Sequence, residues 1–179
     1  MPTTDAIDTQ LLDLGLLVVR VILGLIFAAH GAQKLFGWFG GYGLAGTGGF
    51  METLGFRPGT TFATAAAIAE FFGGLLLALG FLGPIGPALM ISVMIVAMVT
   101  VHSKNPFFVA TNGIEHPLMF TATAFGLALT GPGRYSVDAV LGTTRWETPR
   151  WTWIILAIGI VGGFLNLMLR RQPPAARGA

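Results

Sequence analysis

The sequence predicts an all-α integral membrane protein, and three observations carry that prediction. Hydrophobic residues make up 54% of the 179 positions and charged residues only 10%, against about a quarter charged in ordinary soluble domains. Mean hydropathy is +0.75. Five segments approach the ~20 apolar residues that a helix needs to cross a hydrocarbon core about 30 Å thick. The expected molecule is one small bundle of transmembrane helices with almost no soluble part.

The elements follow in chain order. The N-terminal tail, residues 1–10, holds Asp5 and Asp8 but no Lys or Arg. It lacks the basic start of a cleavable signal, so the first apolar segment is expected to stay in the mature protein. That first span covers residues 11–30 and contains Asp13 and Arg20. The second covers 61–82 with Glu70 inside, and the third 84–101. Only Gly83 and its neighbours separate the two, which predicts an antiparallel hairpin. The fourth span, 114–130, is short, so it is expected to tilt or run into an interfacial turn. The fifth covers 151–169.

Helix ends carry their own signals. Pro84 and Pro117 suit a first turn, where a missing N–H costs nothing. Gly131-Pro132-Gly133 stops the fourth helix, because Pro cannot continue it and Gly accepts the cap conformation. Trp151 and Trp153 open the fifth helix at interfacial depth, and Arg170 and Arg171 close it. The loop 36–59 is rich in glycine and aromatics and reads as interface-hugging, with a short helix over 47–54. In the loop 131–150, Ser136 is placed to cap a short helix. The tail 172–179 is predicted to be disordered.

Lys/Arg bias gives orientation. Five spans put Lys34, Arg57, Lys104, Arg170, Arg171 and Arg177 on one side, and Arg134, Arg145 and Arg150 on the other. The C-terminus is therefore expected in the cytoplasm.

Composition also removes function classes. The chain has no cysteine, which excludes disulfides, iron–sulfur ligation and thiol chemistry on the protein itself. No haem signature is present. Ten basic residues spread over loops and tails make no patch for nucleic acid. Gly41-Tyr42-Gly43-Leu44-Ala45-Gly46 matches a dinucleotide fingerprint in spelling only, since that motif needs a strand before it.

Three groups of residues remain as candidates. Arg20 and Glu70 are charges inside spans, where each costs about 2.5–3.5 kcal/mol on insertion scales and normally finds a partner. Counted from the expected span ends, their depths differ by about 4–5 Å, so they are predicted to form a buried pair, either a register-fixing bridge or an inner proton- or ligand-handling site. His30, Lys34, His102, Lys104, Glu115 and His116 all map to one membrane face, and they include every histidine of the chain. Such groups suit a quinone headgroup, whose oxygens they can bond and protonate near neutral pH. A His/carboxylate metal site fits less well, because no metal-ligand spacing is present. Solvated helix ends are the plain alternative. Gly159 and Gly163 form a GxxxG pair on the fifth helix, serving either internal packing or a partner-docking face.

Four stretches carry a family resemblance. They are Arg20 with Leu23-Gly24-Leu25-Ile26-Phe27-Ala28-Ala29-His30-Gly31-Ala32-Gln33-Lys34-Leu35-Phe36; Ala69-Glu70-Phe71-Phe72-Gly73-Gly74 with Gly80; Gly113-Ile114-Glu115; and Gly131-Pro132-Gly133-Arg134-Tyr135-Ser136-Val137-Asp138. Together they resemble the DoxX family of small bacterial membrane proteins, related to the DoxD-type subunit of thiosulfate:quinone oxidoreductase. The resemblance covers about residues 11–142. It implies a four-helix transmembrane core, to which residues 143–171 add a linker and a fifth, C-terminal span. It further implies a membrane subunit of a quinone-linked redox system in the bacterial plasma membrane, with quinone bound non-covalently. The expected site residues are His30, Lys34, His102 and Glu115, with Arg20 and Glu70 further in. The other reading is a non-catalytic accessory subunit that docks on a larger respiratory or oxidative-stress complex. Without cysteine, this chain cannot carry sulfur covalently, so a thiosulfate reaction would need a partner subunit or non-covalent chemistry.

Overall fold

The computed structural model describes residues 4–146 and 148–171. All regular structure in them is helical. The helices are α1 (Thr4–Phe36), α2 (Gly43–Thr53), α3 (Gly59–Leu79), α4 (Ile85–Ala97), α5 (Glu115–Thr130), α6 (Val137–Leu141) and α7 (Pro149–Met168). Short 3-10 turns lie at Trp38–Gly40, Val109–Thr111 and Thr143–Trp146, and a π-helical turn, Met98–His102, extends α4. The predicted disordered tail 172–179 lies outside the described residues.

The stretches Asp8–Phe36, Gly59–Leu79, Ile85–His102 and Pro149–Met168 are each long and apolar enough to cross a membrane. α5, the predicted fourth span, has 16 residues, about 24 Å of helix. It belongs to the bundle but falls short of the full hydrocarbon thickness. α1 is longer than predicted at both ends, and only Gly37, with φ 71°, turns the chain out of it. His30 and Lys34 therefore stand inside α1 rather than at its end. The short helix expected at 47–54 is α2, which begins four residues earlier.

α1 packs on α3, α3 on α4, and α4 on both α5 and α7, while α2 lies against α3. The core gathers Phe27, Leu77, Met90, Ile91, Phe120, Ala124, Leu127 and Leu156. Lipid offers helices no hydrophobic drive to associate, so small residues that admit close approach set the register. A Cβ on Gly24 would lie 2.5 Å from the Gly74 carbonyl oxygen, and one on Gly74 equally near that of Gly24. This antiparallel contact sets Arg20 beside Gly80 and Glu70 level with His30, about 15 Å apart along the helices.

The predicted Arg20–Glu70 pair is therefore absent. Both residues are buried, at 2% and 3% exposure, but the expected span ends did not mark equal depths. Arg20 instead donates to the carbonyls of Ala78 and Tyr135, and Glu70 pairs with Lys34.

The Arg20 end of the bundle is clamped. Ser136 caps α6, its hydroxyl accepting from the Ala139 amide at 3.2 Å, as predicted. Asp138, 1% exposed, accepts from the Gly83 amide at 2.8 Å and the Thr143 hydroxyl at 2.6 Å. Its own amide donates to the Gly80 carbonyl at 3.1 Å. The segment from Gly131 to Asp138 thus ties down the α3–α4 turn.

The GxxxG pair faces inward. A Cβ on Gly159 would fall 2.6 Å from the Ala88 oxygen, and one on Gly163 2.9 Å from the Ser92 oxygen. These glycines seat α7 on α4 and present no partner face, because each close approach is already occupied by α4 backbone. The far end of α7 is held by the Arg171 amide on the Gly55 carbonyl at 2.8 Å and by Arg170 Nε on the Leu54 carbonyl.

Candidate ligand-binding site at one membrane face

α3 and α4 touch closely near their turn, where a Cβ on Gly86 would fall 2.8 Å from the Gly73 oxygen and 2.9 Å from the Leu77 nitrogen. Away from the turn, α3 residues 62–70 and α4 residues 92–102 face a cavity of about 310 Å³. α2 covers it with Thr47, Phe50, Met51 and Leu54, and Asn166 of α7 closes one flank. A second cavity of about 160 Å³ lies beside it, lined by His30, His102, His116, Phe27, Met94 and Phe120 among others. Lys34, Glu70, Ala97 and His102 line both. The Lys34–Glu70 ion pair therefore forms part of the wall between an apolar chamber and a histidine-lined one.

Each polar group is positioned by its helix. Lys34 stands about one turn beyond the level of Glu70, and its long apolar stem lets the ammonium reach back along the helix pair. Glu70 offers its second carboxylate oxygen as a further acceptor. His30 Nδ1 lies 3.2 Å from Gln33 Oε1, while Gln33 Nε2 donates to the Phe39 carbonyl. That contact turns the amide oxygen toward the ring, so neutral His30 carries its proton on Nδ1 and leaves Nε2 as an acceptor. His102 Nδ1 meets the Asn112 carbonyl at 2.9 Å. A carbonyl only accepts, so His102 takes the same tautomer.

His102 ends the π-helical turn, whose Ser103 amide bonds to the Met98 carbonyl at 2.8 Å. Such turns are rare and recur at functional sites. Here the extra residue per turn aims His102 at both cavities. His116 stacks its ring edgewise at 6.2 Å from His30 and 4.7 Å from Phe120.

Of the six residues expected at this face, Lys104 lines neither cavity; of the four expected to bind the ligand, His30, Lys34 and His102 come together, and Glu70 joins them. Glu115 does not. Its carboxylate accepts from the Val109 amide at 2.7 Å and fastens the loop before α5, facing neither cavity. His116 takes its place, and the signal was available: it stands one turn before the buried Phe120 on the same helix face. Ser92, Thr47 and Asn166 also line the larger cavity and were missed, although a polar residue within an apolar span is itself a signal. Among the described residues no three His, Asp or Glu side chains gather closely enough to hold a metal ion.

The DoxX family model matches residues 15–103. The chain is 32% identical to "Putative oxidoreductase CatD" of Bacillus subtilis (strain 168) over 126 residues, which are 70% of this chain and 86% of that one. It is 30% identical to "Inner membrane protein YqjF" of Escherichia coli (strain K12) over 137 residues, 76% of this chain and 98% of that one. The chain belongs to the DoxX family. The matched stretch of this DoxX protein runs from early α1 to just past the π-helical turn. It contains Arg20, His30, Lys34, Glu70 and His102, whereas the Gly131–Asp138 clamp lies beyond it. No solved structure matches the chain.

Proposed function

We propose that this DoxX protein binds a quinone at the α3–α4 opening and serves as the membrane subunit of a quinone-linked redox system. One observation carries the reading: a buried ion pair and a histidine stand on the wall between an apolar cavity and a three-histidine cavity. An apolar chamber with a few convergent polar groups is the usual form of a small-molecule site. The larger chamber suits an apolar ring or tail. Lys34 N–H suits a carbonyl oxygen, and the free Glu70 oxygen a hydroxyl. When bound, the quinone supplies reversible two-electron, two-proton chemistry. The chain's own part is to orient the ring and to hold protons at Lys34, Glu70 and the Nε2 atoms of His30 and His102.

The name of the B. subtilis relative supports an oxidoreductase role, and that of the E. coli relative supports the bacterial inner membrane. The cavities' end of the bundle carries the larger share of Lys and Arg, so we place it, with the C-terminus, on the cytoplasmic side. The chain has no thiol, so no cysteine of its own passes electrons to the quinone.

The test is equilibrium binding of a short-chain quinone to the purified protein in lipid nanodiscs. His30→Ala and Lys34→Met should each weaken binding about tenfold or more, the loss of one hydrogen bond to a desolvated group. Arg134→Ala, at the opposite face, should not. Saturable binding absent from the unsubstituted protein, or unchanged in both site variants, refutes the proposal.

A further inference from the structure

We infer that Asn166 is a second polar anchor of the larger cavity and restricts it to ligands that are polar at both ends. This rests on the quinone reading and names the residue that sets its specificity.

The polar groups around that cavity are not equivalent. The Thr100 hydroxyl donates to the Val96 carbonyl at 2.8 Å, His102 is engaged by Asn112, and Lys34 and Glu70 hold each other. Among the described residues, the Ser92 and Thr47 hydroxyls and the Asn166 amide bond to no protein group, and Asn166 is the one that can donate two protons and accept as well. The Asn166 amide is half-buried in the last turn of α7, and it is not loosely held. Gly163, Asn166 and Arg170 fall at spacings of three and four, hence on one helix face. Gly163 is seated against the Ser92 backbone and Arg170 is bonded to the Leu54 carbonyl. Asn166 lies between two fixed points with its side chain on the cavity wall.

The two polar groups enter the cavity wall from different helices. α1 packs on α3 and α7 on α4, so Lys34 and Asn166 reach the cavity from opposite flanks of the α3–α4 pair. Their chemistries match one ligand class. Lys34 with Glu70 offers a donor and an acceptor, and so do Asn166 and Ser92. Either end can meet a carbonyl or a hydroxyl, which fits a 1,4-dione and its diol alike. A ligand polar at one end would leave Asn166 without a partner.

The experiment compares two probes of one ring size, 2-methyl-1,4-naphthoquinone and 2-methyl-1-naphthol. Binding to the full chain in lipid nanodiscs is read by calorimetric titration. The chain has no cysteine, so the dione finds no thiol to arylate. The unsubstituted protein should prefer the dione about tenfold, the effect of one added hydrogen bond to an amide of the cavity wall. Asn166→Leu should erase that preference by weakening the dione alone. Asn166→Ala, which adds no bulk, repeats the test should the leucine variant not fold. Equal binding of both probes by the unsubstituted protein, or a preference kept in the folded Asn166 variants, overturns the inference. In that second case a dione affinity still lost in Lys34→Met leaves the quinone reading standing. If the unsubstituted protein binds neither probe, the quinone reading falls as well.

Discussion

Replacing Lys34 by methionine tests whether its ion pair with Glu70 matters energetically. The Glu70 side chain is 4% exposed and that of Lys34 26%. Removing one partner of a fully buried pair costs about 3–5 kcal/mol, chiefly because the other charge is stranded. Lys34's partial exposure admits some screening, which lowers the expectation for Lys34→Met to about 2–3 kcal/mol. Glu70→Leu should cost less, about 1 kcal/mol, since the lysine head can swing toward the interface. The pair Lys34→Met with Glu70→Leu should return close to the original stability, as apolar replacements of buried pairs often do. Denaturant unfolding in mixed micelles, followed by circular dichroism, measures all four proteins of the cycle. A parallel cycle on Arg20→Met and Glu70→Gln provides the contrast. Those residues stand about 15 Å apart, so their effects should add to within about 0.5 kcal/mol. Additivity in the lysine cycle, or coupling in the arginine cycle, refutes the register derived from the Gly24–Gly74 contact.

Three further outcomes are expected. Gly159→Leu and Gly163→Leu should each destabilise by about 1–3 kcal/mol through overpacking against α4, read as a lower melting temperature with oligomeric mass unchanged in detergent; altered mass with an unchanged melt would return these glycines to a partner face. Asp138→Ala should cost about 2–4 kcal/mol by stranding the Gly83 amide and the Thr143 hydroxyl, and Asp138→Asn clearly less, since its amide oxygen still accepts; equal losses on thermal melting would argue against the clamp. Single cysteines at Lys104→Cys and Arg134→Cys, clean reporters in a cysteine-free chain, should differ toward a membrane-impermeant maleimide in intact cells. Position 134 should label and position 104 should not, and the reverse pattern inverts the proposed orientation.

What could be read from the sequence depended on the range of the information. Helix stops are local properties, and Pro84, Gly131 and Ser136 act where expected because caps and breakers work within one turn, whereas the expected fourth span proved too short to count as one. The gathering of histidines at one face followed from counting spans, which needs no contact. Pairing did not follow, because it depends on helix register. Two helices slide until their small residues meet, and Gly24 against Gly74 moved Arg20 away from Glu70 by several turns' worth of residues. Lys34 was assigned to a headgroup cluster and Glu70 to an inner pair, yet one bridge joins them. Glu115 and His116 show the same limit at finer scale. Adjacent residues point about 100° apart on a helix, so placing both at one end leaves open which faces the cavity.

The two ends of the bundle divide the work through their polar bonding. At the α3–α4 turn, Arg20, Asp138 and Asp13 each reach backbone groups of another segment, while Ser136 closes its own loop and Arg20 Nε alone is buried without a partner among the described residues. That end is rigid because its side chains are engaged with main chain that has no alternative partner in an apolar setting. At the opposite end α3 and α4 diverge around the cavity, and the polar groups there keep spare valences: one Glu70 oxygen, two imidazole Nε2 atoms, the Ser92 and Thr47 hydroxyls and the Asn166 amide. Unsatisfied groups are costly within a membrane. The spare valences at this end line the two cavities, so they mark the end at which the proposed ligand completes the bonding.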